Sequence, residues 1–512
     1  MRFSLEDPSF ILALRDIAAR EPESVFGTFD HQPLTFGTLD RQAEALAVHL
    51  RQGLGIQPGE RAAVMMNNGP EAISILFALA KAGIVWVPVN ARQRGRGLKY
   101  IIEHCDPALL FADANLMPVI DDSGAEIAGQ TLLLGGENDA VSDILAGDAR
   151  LEAPAPAMSA LYALMYTSGT TGKPKGVRVT HAMMAYALKS VELLCSIKPG
   201  DVFFQWEPFY HIGGAQMLLL PLFFDVRLSL TERFSASRFW EQVSASGATH
   251  IHYLGGVLQI LLKQPPSDLE TRHNVRIAWG GGCPSEIWPA LQERFGFEIR
   301  ECYGMTEASS LTTCNAEGRQ GSVGRTVPWL DIAIHDEHGH LMPTGEPGQI
   351  VVRETQPGVL FDGYFRNAEA SEKAMTNGRL NTGDRGWLDA DGYLYFLGRI
   401  TDSVRCRGEN VSAWEVETVT QQHPDVEECA MIGVEAEIGE QDIKLFLKPK
   451  TGHMIEPNEL YHWLQKRLAS YQCPRYLTVV DEFERTPSHR IVKHRLPTSV
   501  HEAWDSQQQL SP

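Results

Sequence analysis

Between residues 39 and 89 the chain switches repeatedly between the apolar periodicity of a helix and that of a strand, a pattern few folds accommodate. Leu39, Ala43, Leu46, Ala47 and Leu50 recur at helical spacing. A strand-like run follows at Arg61–Met66, then a predicted helix over Glu71–Lys81, then a second apolar run over Gly83–Val89. That is a β-α-β unit, with Gly83 as helix stop and Pro88 as strand end. The first 160 residues continue this alternation and predict a doubly wound α/β sheet.

The texture then changes. Leu151–Ala157 is a short Pro/Ala connector that marks a subdomain boundary. After Leu341, short strands are punctuated by Gly345, Gly348, Gly358, Gly363, Gly383, Gly386, Gly392 and Gly398, which predicts a compact β-rich subdomain. From Val416 strands and helices alternate again, and the glutamine-rich tail from Ser506 is expected to fray. There is no internal repeat, and 512 residues leave room for several domains.

Composition narrows the partners. With 45 Lys+Arg against 64 Asp+Glu the formal charge is -19, a field that repels nucleic acid. The eight cysteines lie scattered, without zinc spacing, as expected for reduced thiols. Two acids and a proline interrupt the first eight residues, so no signal peptide is expected there. The best apolar run, Met217–Phe224, is far short of a membrane span. The expected location is cytoplasmic.

The chemistry concentrates in Tyr166-Thr-Ser-Gly-Thr-Thr-Gly-Lys-Pro-Lys-Gly-Val177. Its glycines free the backbone, its hydroxyls and N–H groups can donate to a polyphosphate, and Lys173 and Lys175 add positive charge. It is not a Walker A loop, because no G-x-x-x-x-G-K-[ST] can be drawn and Val177–Thr180 reads as a strand. A generic glycine-rich turn is the bland alternative. The twelve-residue string resembles the signature loop of the adenylate-forming superfamily of acyl-CoA synthetases, adenylation domains and luciferases.

Further motifs extend the resemblance over nearly the whole chain. Tyr303-Gly-Met-Thr-Glu307 resembles the second nucleotide motif, in which Thr306 would contact phosphate and Glu307 would hold Mg²⁺; the bland reading makes Thr306 a helix N-cap. Gly280-Gly-Gly-Cys-Pro284 resembles the loop under the adenine and acyl group, Thr382-Gly-Asp384 the motif whose aspartate takes the ribose hydroxyls. Gly398-Arg-Ile-Thr-Asp402 and Arg407-Gly-Glu-Asn-Val411 resemble the inter-domain segment, with Arg399 at the ribose, Asp402 as hinge and Gly408 beside the thiol tunnel. Pro208-Phe-Tyr-His211 resembles the aromatic/His gate near the carboxylate, although a satisfied structural histidine explains His211 equally well. A softer likeness, through Val87–Arg92, Phe234–Trp240 and Arg407–Ser412, points to the bacterial carnitine/crotonobetaine:CoA ligase-like branch.

The resemblance implies an α/β fold: a large N-terminal body, residues 1–401, of two doubly wound α/β subdomains plus a β-rich subdomain, and a small mobile α+β C-terminal domain, residues 402–512. It implies an ATP-dependent acid:CoA ligase using ATP, Mg²⁺ and CoA, acting as monomer or homodimer. The catalytic set would be Thr167, Lys175, His211, Thr306, Glu307 and Arg490. Nucleotide and CoA would meet Thr167, Ser168, Gly169, Thr170, Thr171, Gly172, Lys173, Lys175, Gly281, Gly282, Cys302, Tyr303, Gly304, Met305, Thr306, Asp384, Arg399 and Gly408, with Glu307 on the metal. Trp206, Tyr210, Tyr253, Trp279, Cys302 and Ser309 would line a modest, partly aromatic acyl pocket, although core packing explains the aromatic residues at least as well.

One departure stands out. Where the family carries T-x-x-G-K-[IV]-x-K, this chain has Thr486-Pro-Ser-His-Arg-Ile-Val-Lys493, with His489 in place of glycine and Arg490 in place of the bridging lysine. Arginine is a planar fork and lysine a point charge, so the exchange changes geometry while keeping charge. Either Arg490 takes over the task, Lys493 substitutes, or adenylation is impaired. Loading of a carrier protein, activation of an oxyanion such as nitrite without CoA, and nucleotide binding without catalysis are the other readings. No G-x-S-x-G elbow supports a hydrolase. His335, His338 and His340 read as a hairpin tip rather than a metal site, and His250 and His252 share one strand face, in the core or on a ligand pocket.

Overall fold

The computed structural model describes residues 9–137, 139–167, 173–400, 403–406, 409–436, 441–468, 470, 472–486 and 490–509. They form two compact units, Met1–Asp331 with Val352–Leu380, and Ile332–Val351 with Asn381–Pro512. The boundary expected at Asp402 falls inside the second unit, and Asp402 itself lies outside the described residues.

In the first unit the predicted β-α-β unit is Arg61–Met65, Pro70–Ala82 and Val85–Pro88, with parallel strands. Pro70 opens the helix where its missing N–H costs nothing, and Gly83 closes it at φ 69°, in the left-handed region. The preceding helix, Phe36–Val48, is capped by Thr35, whose hydroxyl accepts the Thr38 N–H. Its Asp40 and Glu44 each lie 2.7 Å from the buried Lys81 ammonium of the next helix, so one cation neutralises two carboxylates between packed helices.

Two doubly wound sheets make up most of this unit. The first runs Gln130–Leu134, Leu109–Asp113, Arg61–Met65, Val85–Pro88, Leu161–Thr167, Lys175–Thr180, parallel except for the last pair. The second has six parallel strands in the order Glu298–Tyr303, Ile277–Gly281, His250–Leu254, Asp201–Gln205, Val226–Leu230, Val25–Phe29. Strands such as Asp201–Gln205 are buried at every residue, as helices on both faces require. In both sheets the chain first adds a strand on one side and then crosses to the other, which opens a crevice at the carboxyl ends of the strands. In the second sheet that switch lies between Asp201–Gln205 and His250–Leu254. The apolar run Met217–Phe224 is buried in two short helices parted before Pro221, and among the described residues no helix is long and apolar enough to cross a membrane.

The second unit carries the expected glycine-punctuated strands, including the antiparallel pair Arg379–Leu388 and Tyr393–Arg399. A four-stranded sheet, Val426–Glu435, Gln441–Pro449, Tyr476–Val479, Trp504–Asp505, buries Met431, Leu445, Leu447 and Leu477 against the helices Ala413–Gln421 and Pro457–Gln465. Of the tail expected to fray, Ser506–Gln509 is helical, because Trp504–Asp505 joins the sheet and the Ser506 N–H bonds Arg475 O; residues 510–512 lie outside the described residues.

Candidate active site

The signature segment is a β-hairpin in which Thr167 pairs with Lys175 across antiparallel strands; its tip, with Ser168, Gly169, Thr170, Thr171 and Gly172, lies outside the described residues. Just past the tip, Lys173 is exposed with Nζ 5.2 Å from the Tyr100 ring centroid. Lys175 Nζ lies 5.0 Å from the centre of the Tyr364 ring, held by cation–π attraction. The Tyr364 hydroxyl donates to Glu307 Oε1 at 2.8 Å. Lys175 of the hairpin and Glu307 of the second motif, 132 positions apart in sequence, therefore meet through one tyrosine. Sequence reasoning missed Tyr364, since its place depends on a bridge to Val177 that no local pattern announces.

Thr306–Ala308 forms a single 3₁₀ turn. Thr306 is its first residue and Met305 holds the N-cap position, which sets aside the capping reading of Thr306. Ser309 and Ser310 follow with φ of 55° and 72°, a left-handed pair that costs non-glycine residues on the order of 1–3 kcal/mol each. The Ser309 hydroxyl, donating to Val359 O, helps to hold this bend. A Cβ on Gly304 would lie 1.7 Å from Ser310 O, so the close return of the chain requires glycine there. Tyr303 and Gly304 thus stand at the carboxyl end of a parallel strand, Tyr303 largely buried and Gly304 exposed.

Gly281 and Gly282 sit at the end of the neighbouring strand, and behind them lies a second residue that sequence reasoning missed. Glu301, 4% exposed, accepts hydrogen bonds from the Tyr253 hydroxyl at 2.6 Å, Cys283 N at 2.7 Å and Gly282 N at 3.1 Å. Burial pushes its carboxyl up to about 7 despite these three donors. A buried acid thus pins the glycine loop from beneath. Cys302 donates its thiol to Gly280 O at 3.1 Å, and burial drives that thiol far above its ordinary range, so it is a packing and contact residue, not a nucleophile.

His211 precedes the helix Ile212–Met217, its ring 4.7 Å from that of Tyr210. Nearby, at the topological switch, Asn68 from the first sheet clamps the segment after Gln205: its amide donates to Glu207 O and accepts from Phe209 N, each at 3.1 Å. Trp206 donates to His252 O, the His252 ring centre lies 4.3 Å from that of Trp279 with the planes tilted by 47°, and His252 Nδ1 lies 3.3 Å from Glu207 Oε2. Burial drives His252 down to about 3, so its ring is neutral. His250 is satisfied in the core by Cys195 O and Thr249, and His252, 4% exposed, is buried on the same strand. The His335–His340 segment is the expected hairpin tip, with Asp336 accepting the His338 and His340 N–H groups. Among the described residues no cluster of metal-ligating side chains of three or more occurs.

In the second unit, Asp384 is buried and faces Arg399 across the antiparallel pair, Arg399 Nε 3.4 Å from Asp384 Oδ1. Arg490 is exposed; Thr486 N donates to Arg490 O at 2.7 Å and Arg490 N to Thr486 Oγ1 at 3.1 Å. Lys493 lies 2.8 Å from Glu417 Oε1. Gly408 and His489 lie outside the described residues.

The profile of the AMP-binding enzyme family matches residues 14–365, and that of the AMP-binding enzyme C-terminal domain matches residues 415–490. Crotonobetaine/carnitine–CoA ligase of Salmonella typhi is 29% identical over 460 residues, covering 86% of this chain and 89% of that protein. Among solved structures, o-succinylbenzoate CoA synthetase of Bacillus subtilis, in complex with its acyl-adenylate intermediate, superposes with TM-score 0.84 at 27% identity, over 96% of this chain and 98% of that one. A benzoate CoA ligase of Burkholderia xenovorans shares the fold at TM-score 0.86 and 24% identity, over 96% of this chain and 99% of that one.

Proposed function

This chain belongs to the AMP-binding enzyme family, and on that premise we propose that it is an ATP-dependent acid:CoA ligase. The observation that carries the reading is the meeting of Lys175, Tyr364 and Glu307 at the base of the signature hairpin, beside the glycine loop pinned by Glu301. The named CoA ligases among its relatives support it.

In the first half-reaction a carboxylate oxygen of the acid attacks the α-phosphorus of ATP, and the bond to pyrophosphate breaks. The carboxylate is already a nucleophile, so orientation and charge neutralisation carry the catalysis. Thr167, the hairpin tip 168–172, Lys173 and Lys175 hold the phosphates; Thr306 donates to the α-phosphate; Asp384 and Arg399 take the ribose. Gly281, Gly282, Cys302, Tyr303, Gly304 and Met305 form the floor under the nucleotide, and His211 closes the carboxylate side. A lone carboxylate, Glu307, suits Mg²⁺, which takes few protein ligands beside phosphate and water and would neutralise the departing pyrophosphate. In the second half-reaction the CoA sulfur attacks the acyl carbon, the bond to AMP breaks, and the C-terminal domain, residues 402–512, turns about Asp402 to bring Gly408 to the thiol path. Arg490 supplies the bridging cation: it is exposed, whereas Lys493 is engaged with Glu417. The enzyme works in the cytoplasm, in keeping with eight free cysteines, as a monomer or homodimer.

An acid panel assayed for pyrophosphate with and without CoA, with mass spectrometry of the product, tests the reading. Acyl-CoA and AMP are expected. AMP only with a carrier protein, turnover of nitrite without CoA, or no ATP–pyrophosphate exchange with any acid would each replace it.

A further inference from the structure

Gln216 is fully buried in the helix Ile212–Met217, and neither its amide nitrogen nor its amide oxygen has a hydrogen-bond partner. Buried amides are almost always paired, so a site that leaves both ends open is built for something polar to enter. Its surroundings point the same way. One turn earlier on the same helix face stands Gly213, and a Cβ there would lie 2.5 Å from Glu207 Oε2 and 2.9 Å from Oε1. The Glu207 carboxyl therefore fills the place of a side chain on that face, and His252 reaches it at 3.3 Å from the adjacent strand. Gln205, 1% exposed at the end of its strand, adds another buried amide whose oxygen is unpartnered. These groups sit at the topological switch of the second sheet, where open α/β sheets take ligands, and within the aromatic wall of Trp206 and Trp279.

We propose that Glu207, His252 and Gln216 form the polar end of the acyl subsite and select a carboxylic acid whose carbon skeleton carries a hydrogen-bond donor, a hydroxyl or an amine. The inference rests on the ligase reading and specifies its substrate class. Gln216 offers a donor and an acceptor to a hydroxyl; Glu207 accepts from a hydroxyl or an ammonium; neutral His252 contributes a ring nitrogen without a competing charge. An apolar acid of the same length would leave both ends of the Gln216 amide buried and unmet, which is the circumstance in which a binding site discriminates strongly.

The test compares matched acids, butyrate and benzoate against their hydroxy and amino derivatives, by CoA-dependent pyrophosphate release from wild type, Glu207→Leu, Glu207→Gln and Gln216→Leu. Wild type is expected to prefer a substituted acid in kcat/KM by about 100-fold or more. Gln216→Leu and Glu207→Leu should reduce that ratio at least about tenfold. Glu207→Gln should keep a hydroxyl preference and lose an amine preference. Thermal melting and ATP binding establish that each variant folds, and the within-variant ratio is unmoved by a general loss of activity. Equal preference by wild type, or a ratio preserved in both leucine variants, overturns the inference and leaves the ligase reading standing. No pyrophosphate release with any acid overturns the ligase reading and the inference with it.

Discussion

Arg490 and Glu301 show how far a single residue could be read. The exchange of the family lysine for Arg490 is visible in the sequence, and the structure adds that Lys493, the other candidate for the task, has Glu417 beside it. Arg490→Ala should therefore slow ATP–pyrophosphate exchange by about 100-fold, the scale of a lost transition-state charge contact, and Lys493→Ala by less than about tenfold. Unchanged exchange in Arg490→Ala would remove it from the first half-reaction. Glu301 was invisible by contrast, because an acid in a strand looks like any surface acid until its partners are known. Its carboxyl holds a proton more tightly in the folded chain, at about 7, than at the ordinary 4.5. Between those values the folded state binds more protons than the unfolded one, so this group's contribution to stability is full below 4.5 and is lost as pH rises through about 7. Buried His252, held down to about 3, acts in the opposite sense, its contribution lost as pH falls below 6.5. The urea midpoint difference between about pH 5 and about pH 8 should shift in favour of the higher pH in Glu301→Gln relative to wild type. An unchanged difference would show that Glu301 does not titrate there.

Helix and strand periodicity carried the elements well where one face or both are buried. Pro70–Ala82 came within a residue of its predicted ends because proline and glycine mark them. Periodicity says nothing about strand order, and the functional groups depend on order: Gly280 lies opposite Tyr253 only because Ile277–Gly281 and His250–Leu254 are neighbours. Gly280 has φ 155°, and a Cβ there would sit 1.8 Å from Tyr253 O. Gly280→Ala should destabilise the fold by about 2–4 kcal/mol in urea unfolding, through strain and a displaced strand end. A loss below about 0.5 kcal/mol, the range of ordinary surface substitutions, would mean that the strands separate there without cost.

At the scale of the whole chain, the -19 charge faces substrates, ATP and CoA, that are themselves anions. Binding must come from cations close to the phosphates, Lys173 and Lys175 among them, working against a diffuse acidic field. Salt screens charges beyond about 8–10 Å more than it screens close pairs. Raising salt from about 50 to about 200 mM should therefore leave the KM for ATP level or lower it, the reverse of a protein with a basic ligand-binding face. A rise of several-fold in steady-state assays would show that the local cations act at long range. The same acidic field makes nucleic acid an unfavoured partner, and among the described residues no helix is long and apolar enough to cross a membrane.

The sequence by itself determined the α/β class, the family and the order of its motifs, because those depend on local periodicity and on contiguous strings such as Tyr166–Val177. The tertiary structure decided which distant residues share a site. Tyr364 joins Lys175 to Glu307, Glu301 supports the glycine loop, and Glu207 occupies the space left by Gly213. The physical reason is that a buried polar group is defined by its partners, and those partners come from other strands and loops brought near by sheet order and crossover, which no neighbouring residue encodes.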